Sequence, residues 1–199
     1  MAEICTLRSR TLGEQARFKH WFGKSNVLNG RAMPKVVYHG TSKDFDTFQP
    51  KKRNPELGFH FGSLSQAEFF AGVGSKNRGA ALGCIMPVYL RIENPLRVFD
   101  VFERGRGSAE NIAHWLCRDG VVDDHLRSRI YRAKSGREAC HRVTEAIEAV
   151  GYDGLIYPNE WEGGSATSNE DSYVAFRPEQ IKSVFNRGTF DRSSADLLA

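Results

Sequence analysis

With 199 residues, of which 40% are hydrophobic, the chain is long enough to bury the core of one domain. Its net charge of +4 permits contact with an acidic ligand or nucleic acid without demanding it. No apolar run reaches the length of a membrane span, the start MAEICTLRSR lacks the apolar region of a secretory signal, and the four cysteines form no CxxC pair or metal-spaced cluster. We therefore expect a cytoplasmic protein with reduced thiols and no bound metal.

The predicted elements place strands towards both ends of the chain and helices between them. In chain order they are the helix Glu14–Phe22, the strands Val36–Tyr38 and Gly58–Phe61, the helix in SLSQAEFFAG, the strands Ile85–Ile92 and Leu96–Phe99, the helices in SAENIAHWLCRD and SGREACHRVTEAIEAVG, and the strands Gly154–Tyr157, Tyr173–Phe176 and Gln180–Phe185. The helices are predicted from apolar residues at helical spacing, and the strands from β-branched or alternating residues. This order is typical of an α+β domain with a mostly antiparallel sheet.

Residues 14–191 are predicted to form one domain that carries a mostly helical insertion at 104–150. The clearest helix lies in this insertion, because Ser135 and Glu138 have capping-box spacing and apolar residues follow on one helical face. Residues 1–13 are expected to form a flexible arm and residues 192–199 a frayed tail. The arginines of the insertion keep nucleic acid open as a partner, and an ordinary solvated surface is the alternative.

Polar residues follow the first predicted strand and interrupt the second. His39, Gly40 and Thr41 come directly after Val36–Tyr38, and His60 lies within the next strand. A single histidine at a strand end is more often structural than functional. Gly40 favours function, because a residue without a Cβ lets a ligand approach the backbone closely. The triplet then offers a ring nitrogen, a backbone amide and carbonyl, and a hydroxyl, which suit a ribose and a carboxamide.

A longer set of motifs follows a fixed order along the chain: FKHWFGKSNV, MPKVVYHGT, FDTFQP, LGFHFGS, MPVYLRIENPL, GYDGLIYPN and YVAFRPEQIKSVFNRGTFD. This set resembles the ADP-ribosyltransferases of the diphtheria-toxin and poly(ADP-ribose)-polymerase superfamily, in particular the transferase domains of phage and mobile-element polyvalent proteins. The resemblance covers residues 18–191 apart from the helical block. It implies an α+β fold with a split antiparallel β-sheet core, flanking helices and a helical insertion.

The resemblance also implies an activity. The implied activity is that of a mono-ADP-ribosyltransferase. Such an enzyme cleaves NAD as its substrate, releases nicotinamide and modifies a macromolecular acceptor, either protein or nucleic acid. The implied setting is a toxin, an effector or a phage or mobile-element protein in the cytoplasm of the producing or target bacterial cell, with a neutralising partner or antitoxin. Two alternatives stay open: a degenerate NAD-binding interaction module without turnover, and an NAD glycohydrolase in which water replaces the acceptor.

The family's residues can be carried over to the first two motifs. Its conserved histidine falls on His39, which would bond the adenosine ribose, while Gly40 would hold the nicotinamide carboxamide and Thr41 would touch the ribose. In the second motif, Gly58–Phe61, His60 takes the place of the usual tyrosine and would lie against the nicotinamide ring. The further NAD-binding candidates are Arg53 for a phosphate, Ser63, and Phe69 or Phe70 for an opposing ring, with the core as the alternative for both phenylalanines.

The third motif departs from the family at Ser172, since efficient relatives often carry a glutamate in that position. Either Ser172 makes the ribose contact, or Glu170 or Asp171 reaches in from the loop, or NAD binds without turnover. Glu170 is slightly favoured, because a long carboxylate near the ribose would stabilise an oxocarbenium-like centre. Glu160, Trp161 and Asp171 are the acceptor-binding candidates; an exposed acidic loop and a packed tryptophan are the alternatives.

Overall fold

A computed structural model describes residues 10–50, 55–72, 83–99, 109–159 and 170–199 of the chain. Within these ranges the helices are α1 (Leu12–Phe22), α2 (Leu64–Phe70), α3 (Ala109–Arg118), α4 (His125–Tyr131) and α5 (Gly136–Ala149), and the strands are β1 (Val37–Thr41), β2 (Phe59–Phe61), β3 (Cys84–Leu90), β4 (Pro95–Arg97), β5 (Gly154–Pro158), β6 (Asp171–Ala175) and β7 (Ile181–Ser183). None of these helices is long and apolar enough to cross a membrane. The predicted α+β class is confirmed.

The described strands form two sheets, and among the described residues the edges of these sheets meet at one β-bridge. One sheet has the order β1-β3-β7 and the other the order β2-β6-β5-β4, and among the described pairings only β4 with β5 is parallel. Tyr38 of the edge strand β1 pairs with Gly62, the residue that follows the edge strand β2, and their backbone groups exchange hydrogen bonds of 2.9 and 3.0 Å. The two sheets therefore behave as one sheet that splits beyond this contact.

The four-stranded sheet has a hydrophobic core on each face. Side chains alternate along β6, so that Tyr173 packs between the two sheets whereas Val174 packs under the helices of the insertion. On the helical side, α5 contributes Val143 and Ile147, both fully buried. The insertion is thus an integral layer on the sheet that carries the second and third motifs.

A buried glutamine joins three elements at the end of the sheets away from the split. The Gln180 side-chain oxygen accepts hydrogen bonds from the backbone N–H groups of Phe176 and Arg177 at 3.0 and 2.9 Å. Its amide group donates to the carbonyls of Arg91 and Asp153 at 3.1 and 2.8 Å. Gln180 of the PEQIKS motif, which belongs to the last of the family-like segments, therefore has a structural role here.

Residues 12 and 13 and the C-terminal segment 192–199 are more ordered than predicted. Thr11 caps α1 in a capping box with Glu14, so the helix begins two residues earlier than expected; residues 1–9 lie outside the described ranges. At the other end, the ammonium group of the fully buried Lys182 donates to the carbonyls of Ser194 and Asp196 at 3.0 and 2.7 Å, and Leu197 is buried. The prediction of a frayed tail at 192–199 is wrong, because these carbonyls satisfy a buried cation. Burial lowers the pKa of Lys182.

Candidate functional site

His39 is held in one orientation by a hydrogen bond and by aromatic packing. Its Nδ1 lies 2.8 Å from the backbone carbonyl oxygen of His60. Because a carbonyl can only accept, Nδ1 is the donor, and the neutral ring keeps Nε2 as its acceptor nitrogen. The ring packs at 5.0 Å from Phe48 and 5.6 Å from Phe61, measured between ring centroids. The strand therefore presents a histidine whose tautomer and direction are fixed.

Gly40 lies where the two sheets part. Backbone groups point alternately to the two sides of a strand, so the Gly40 N–H and C=O point to the same side as those of Tyr38, towards β2. Among the described residues, the pairing of β1 with β2 consists of the Tyr38–Gly62 bridge alone, so the Gly40 groups face the split. A Cβ at Gly40 would overlap the carbonyl oxygen of Ala67 in α2. Glycine is thus required by the close packing of α2, whereas the sequence argument had expected it to clear a path for a ligand.

A cavity of about 560 Å³ opens beside His39 and falls within the range of small-molecule sites. It brings together three of the predicted site residues, His39, Thr41 and His60. The Thr41 hydroxyl accepts a hydrogen bond of 3.2 Å from the Lys43 N–H, which leaves its own proton available to an acceptor. The other walls come from the segments 43–50 and 55–59, from α5 and from Phe176.

His60 contacts a tyrosine that the sequence analysis did not single out. Its Nδ1 lies 3.3 Å from the hydroxyl of Tyr157, and the two rings meet edge to face at 6.3 Å. Tyr157 ends the predicted GLIY strand and is buried. A buried tyrosine hydroxyl needs a polar partner, and that need was the only signal for this contact in the sequence.

Ser172 belongs to a buried network of neutral polar side chains. The residue is only 2% exposed. Its Oγ accepts a hydrogen bond from Asn159 Nδ2 at 3.1 Å and donates one to Gln66 Oε1 at 3.3 Å. The same oxygen of Gln66 accepts from the Ser63 backbone N–H at 2.7 Å, whereas Gln66 Nε2 has no hydrogen-bond partner among the described residues. The sequence analysis missed Gln66 and Asn159, although the spacing of Ser63 and Gln66 carries the signal of a capping box.

The two acidic candidates lie outside the cavity. Asp171 forms a bidentate ion pair with Arg97, with N–O distances of 3.0 and 2.6 Å, and this hydrogen-bonded contact raises the pKa of Arg97. Glu170 is exposed, and its backbone carbonyl accepts from the Asn159 N–H at 3.3 Å. In the parts of the chain that the structure describes, no group of three or more His, Cys, Asp or Glu residues could hold a metal ion.

The remaining candidates take three different positions. Ser63 is the N-cap of α2, where its hydroxyl accepts from the Gln66 N–H at 3.4 Å. Phe69 and Phe70 are 60% and 54% exposed, and their rings meet edge to face at 5.5 Å, so neither belongs to the core and neither lines the described cavity. Three predicted site residues lie outside the described ranges: Arg53, Glu160 and Trp161.

Comparisons with known proteins identify the family. Among solved structures the chain is similar to one entitled "Crystal structure of an anti-CRISPR protein", with 12% sequence identity, a TM-score of 0.27, and coverage of 72% of this chain and 90% of that chain; a TM-score this low supports no structural argument. No curated protein matches the sequence. The family model for the ADP-ribosyltransferase in polyvalent proteins matches residues 29–190. The chain therefore belongs to the ADP-ribosyltransferase family of polyvalent proteins.

Proposed function

We propose that the protein is a mono-ADP-ribosyltransferase that cleaves NAD, releases nicotinamide and transfers ADP-ribose to a protein or nucleic acid acceptor. Family membership supports the class of activity. The observation that carries NAD as the substrate is the split between β1 and β2, where His39 is fixed by its 2.8 Å bond to His60 and borders a cavity of suitable size.

The polar groups at this split fit the nicotinamide carboxamide and the ribose hydroxyls of NAD. Nε2 of His39 would accept a hydrogen bond from a ribose hydroxyl, because Nδ1 is already the donor to His60. The backbone N–H and C=O of Gly40 would pair with the oxygen and the amino group of the carboxamide. The Thr41 hydroxyl would donate to a ribose oxygen. His60 would lie against the nicotinamide ring as a neutral imidazole, since a second positive charge would repel the nicotinamide cation.

The reaction breaks the glycosidic bond between ribose C1 and the nicotinamide nitrogen. The bonding electron pair leaves with nicotinamide, which becomes neutral, and C1 takes on oxocarbenium character. The acceptor nucleophile then forms the new bond to C1 and loses its proton. A preorganised carboxylate near this centre is worth about 3 kcal/mol. We assign that role to Glu170, because it directly precedes β6 and Asp171 is already paired with Arg97; its exposed side chain would have to turn into the cavity when substrate binds.

A second candidate function is NAD binding without turnover. It is favoured by Ser172, which stands in the family's glutamate position and is buried between the neutral side chains of Asn159 and Gln66. A third is NAD hydrolysis, in which water attacks C1. As a transferase, the protein would act as a phage or mobile-element effector or toxin, and a neutralising partner would protect the producing cell.

One assay separates these functions. The protein is incubated with NAD labelled in the adenosine part and with bacterial lysate, and free nicotinamide, free ADP-ribose and labelled macromolecules are measured beside the His39→Ala variant. We expect labelled acceptor that disappears in His39→Ala, and mass spectrometry then identifies the modified residue or base. Free ADP-ribose as the sole product indicates a glycohydrolase, and calorimetric NAD binding without nicotinamide release indicates the binding module. Labelling that survives His39→Ala unchanged refutes the proposed site.

A further inference from the structure

The helical insertion supplies one wall of the cavity beside His39. Arg137, Cys140, His141 and Thr144 of α5 all line it. These positions are spaced by three and four residues, so they form a single stripe on the helix, next to the stripe that is buried in the core. An insertion that lies apart from the family-like motifs in the sequence therefore faces the candidate substrate site.

This wall is hydrogen-bonded to the segment that leads into β2. The Thr144 hydroxyl donates to the Leu57 carbonyl at 3.0 Å, and the Cys140 thiol contacts the Pro55 carbonyl at 3.5 Å. Leu57 is three residues from His60, or about 10 Å of extended chain, and Arg137 is seven residues from Thr144, or about 10 Å of helix. These contacts fix the position of α5, and with it Arg137, relative to the segment that leads into His60, and both residues line the same cavity.

The charged residues of the lining favour an anionic group in the cavity. They are the cations Lys43 and Arg137 and the carboxylate Glu56, so that positive charges outnumber negative ones in the lining. A guanidinium presents a planar fork of N–H donors that matches phosphate oxygens, and it stays charged at all working pH values. We propose that Arg137 binds the diphosphate of the dinucleotide, so that the insertion forms part of the NAD site; this inference rests on the proposed function.

The test compares ligands with and without a diphosphate. Labelled ADP-ribose is bound to the wild type, to Arg137→Ala and to Arg137→Gln, which keeps the length and polarity of the side chain, and is displaced by ADP or by adenosine. Arg132→Ala is the matched control, because Arg132 is an exposed arginine of the same insertion that does not line this cavity. Both Arg137 variants are expected to weaken ADP-ribose and ADP by about tenfold to a hundredfold, with adenosine unchanged and Arg132→Ala like the wild type.

Every other outcome overturns the inference in a recognisable way. If Arg137→Ala or Arg137→Gln binds ADP-ribose as the wild type does, the assignment of Arg137 is wrong while the proposed function stands. An equal loss of affinity for ADP and for adenosine in the Arg137 variants means that Arg137 does not bind the diphosphate. Normal ADP-ribose binding combined with lost acceptor labelling assigns Arg137 to the acceptor. A wild type that binds neither NAD nor ADP-ribose removes the proposed function itself.

Discussion

Replacing Ser172 by glutamate introduces the residue that efficient relatives often carry in this position, and the structure predicts that this change destabilises the protein. Ser172 is 2% exposed and its hydroxyl lies between one donor, Asn159 Nδ2 at 3.1 Å, and one acceptor, Gln66 Oε1 at 3.3 Å. A carboxylate has only acceptor oxygens, so it would gain the donor and repel the acceptor. Rotating the Gln66 amide would bring its NH2 group forward, but would break the 2.7 Å bond from the Ser63 N–H.

The expected cost follows from burial and volume. Burying a charge with incomplete partners costs several kcal/mol, and adding two carbons and an oxygen to a packed site costs about 1–3 kcal/mol. We therefore expect Ser172→Glu to lower the free energy of unfolding by about 3–5 kcal/mol, a large share of the 5–15 kcal/mol typical of a domain, and the melting temperature by roughly 6–20 °C.

Thermal and urea unfolding measure this cost, with Ser172→Gln as the matched variant of equal size and no charge. The difference between the two variants measures the charge together with the hydrogen bond that the NH2 group of glutamine can still donate to Gln66 Oε1. Burial raises the pKa of the new carboxyl, so the folded state binds its proton more tightly than the unfolded state does. The loss of unfolding free energy in Ser172→Glu, relative to the wild type, should then become smaller as the pH falls from 8 towards 4. The loss in Ser172→Gln should not change with pH. A Ser172→Glu protein that unfolds like the wild type and transfers ADP-ribose faster would refute the reasoning.

Two further predictions concern His39 and Cys140. His39→Asn keeps a donor for the His60 carbonyl but loses the Nε2 acceptor, so it should bind NAD roughly tenfold more weakly. The loss of ring packing against Phe48 and Phe61 should also lower the melting temperature. Calorimetry measures the affinity of the folded variant, and wild-type affinity would contradict the assigned contact. Burial, with the nearby carboxylates Glu110 and Glu56, raises the pKa of the Cys140 thiol to about 11. This thiol should resist iodoacetamide at pH 8 in the folded protein, and the free energy of unfolding should fall as the pH rises from about 8.5 to 11, because the unfolded thiol then loses a proton that the folded one keeps. A Cys140→Ala variant should lack that part of the pH dependence, and rapid alkylation of native Cys140 would count against it.

The elements that could be predicted are those that depend on neighbouring residues in the sequence. The helix that follows Ser135 was predicted from one capping residue and one apolar face, and both are local properties. The short helix α4 (His125–Tyr131) was missed, since two turns with buried Leu126 and Ile130 give too few periods to recognise. The tail was mispredicted because its order depends on Lys182, a charged residue that usually indicates exposure.

The same distinction holds for the candidate site: some of its residues could be predicted from the sequence, and its long-range contacts could not. Motif order alone pointed to His39 and to the ADP-ribosyltransferase family, because the His39-Gly40-Thr41 triplet is contiguous in β1 and the other motifs follow in a fixed order along the chain. Only the tertiary structure decided that Gly40 is required by α2, that Ser172 meets Gln66 across 106 residues, and that Arg137 faces the cavity. Such contacts form where distant segments pack together, and their chemistry depends on which donor meets which acceptor there. Periodicity fixes the face of a helix or strand on which a side chain lies, but the partner on that face is chosen by the fold as a whole.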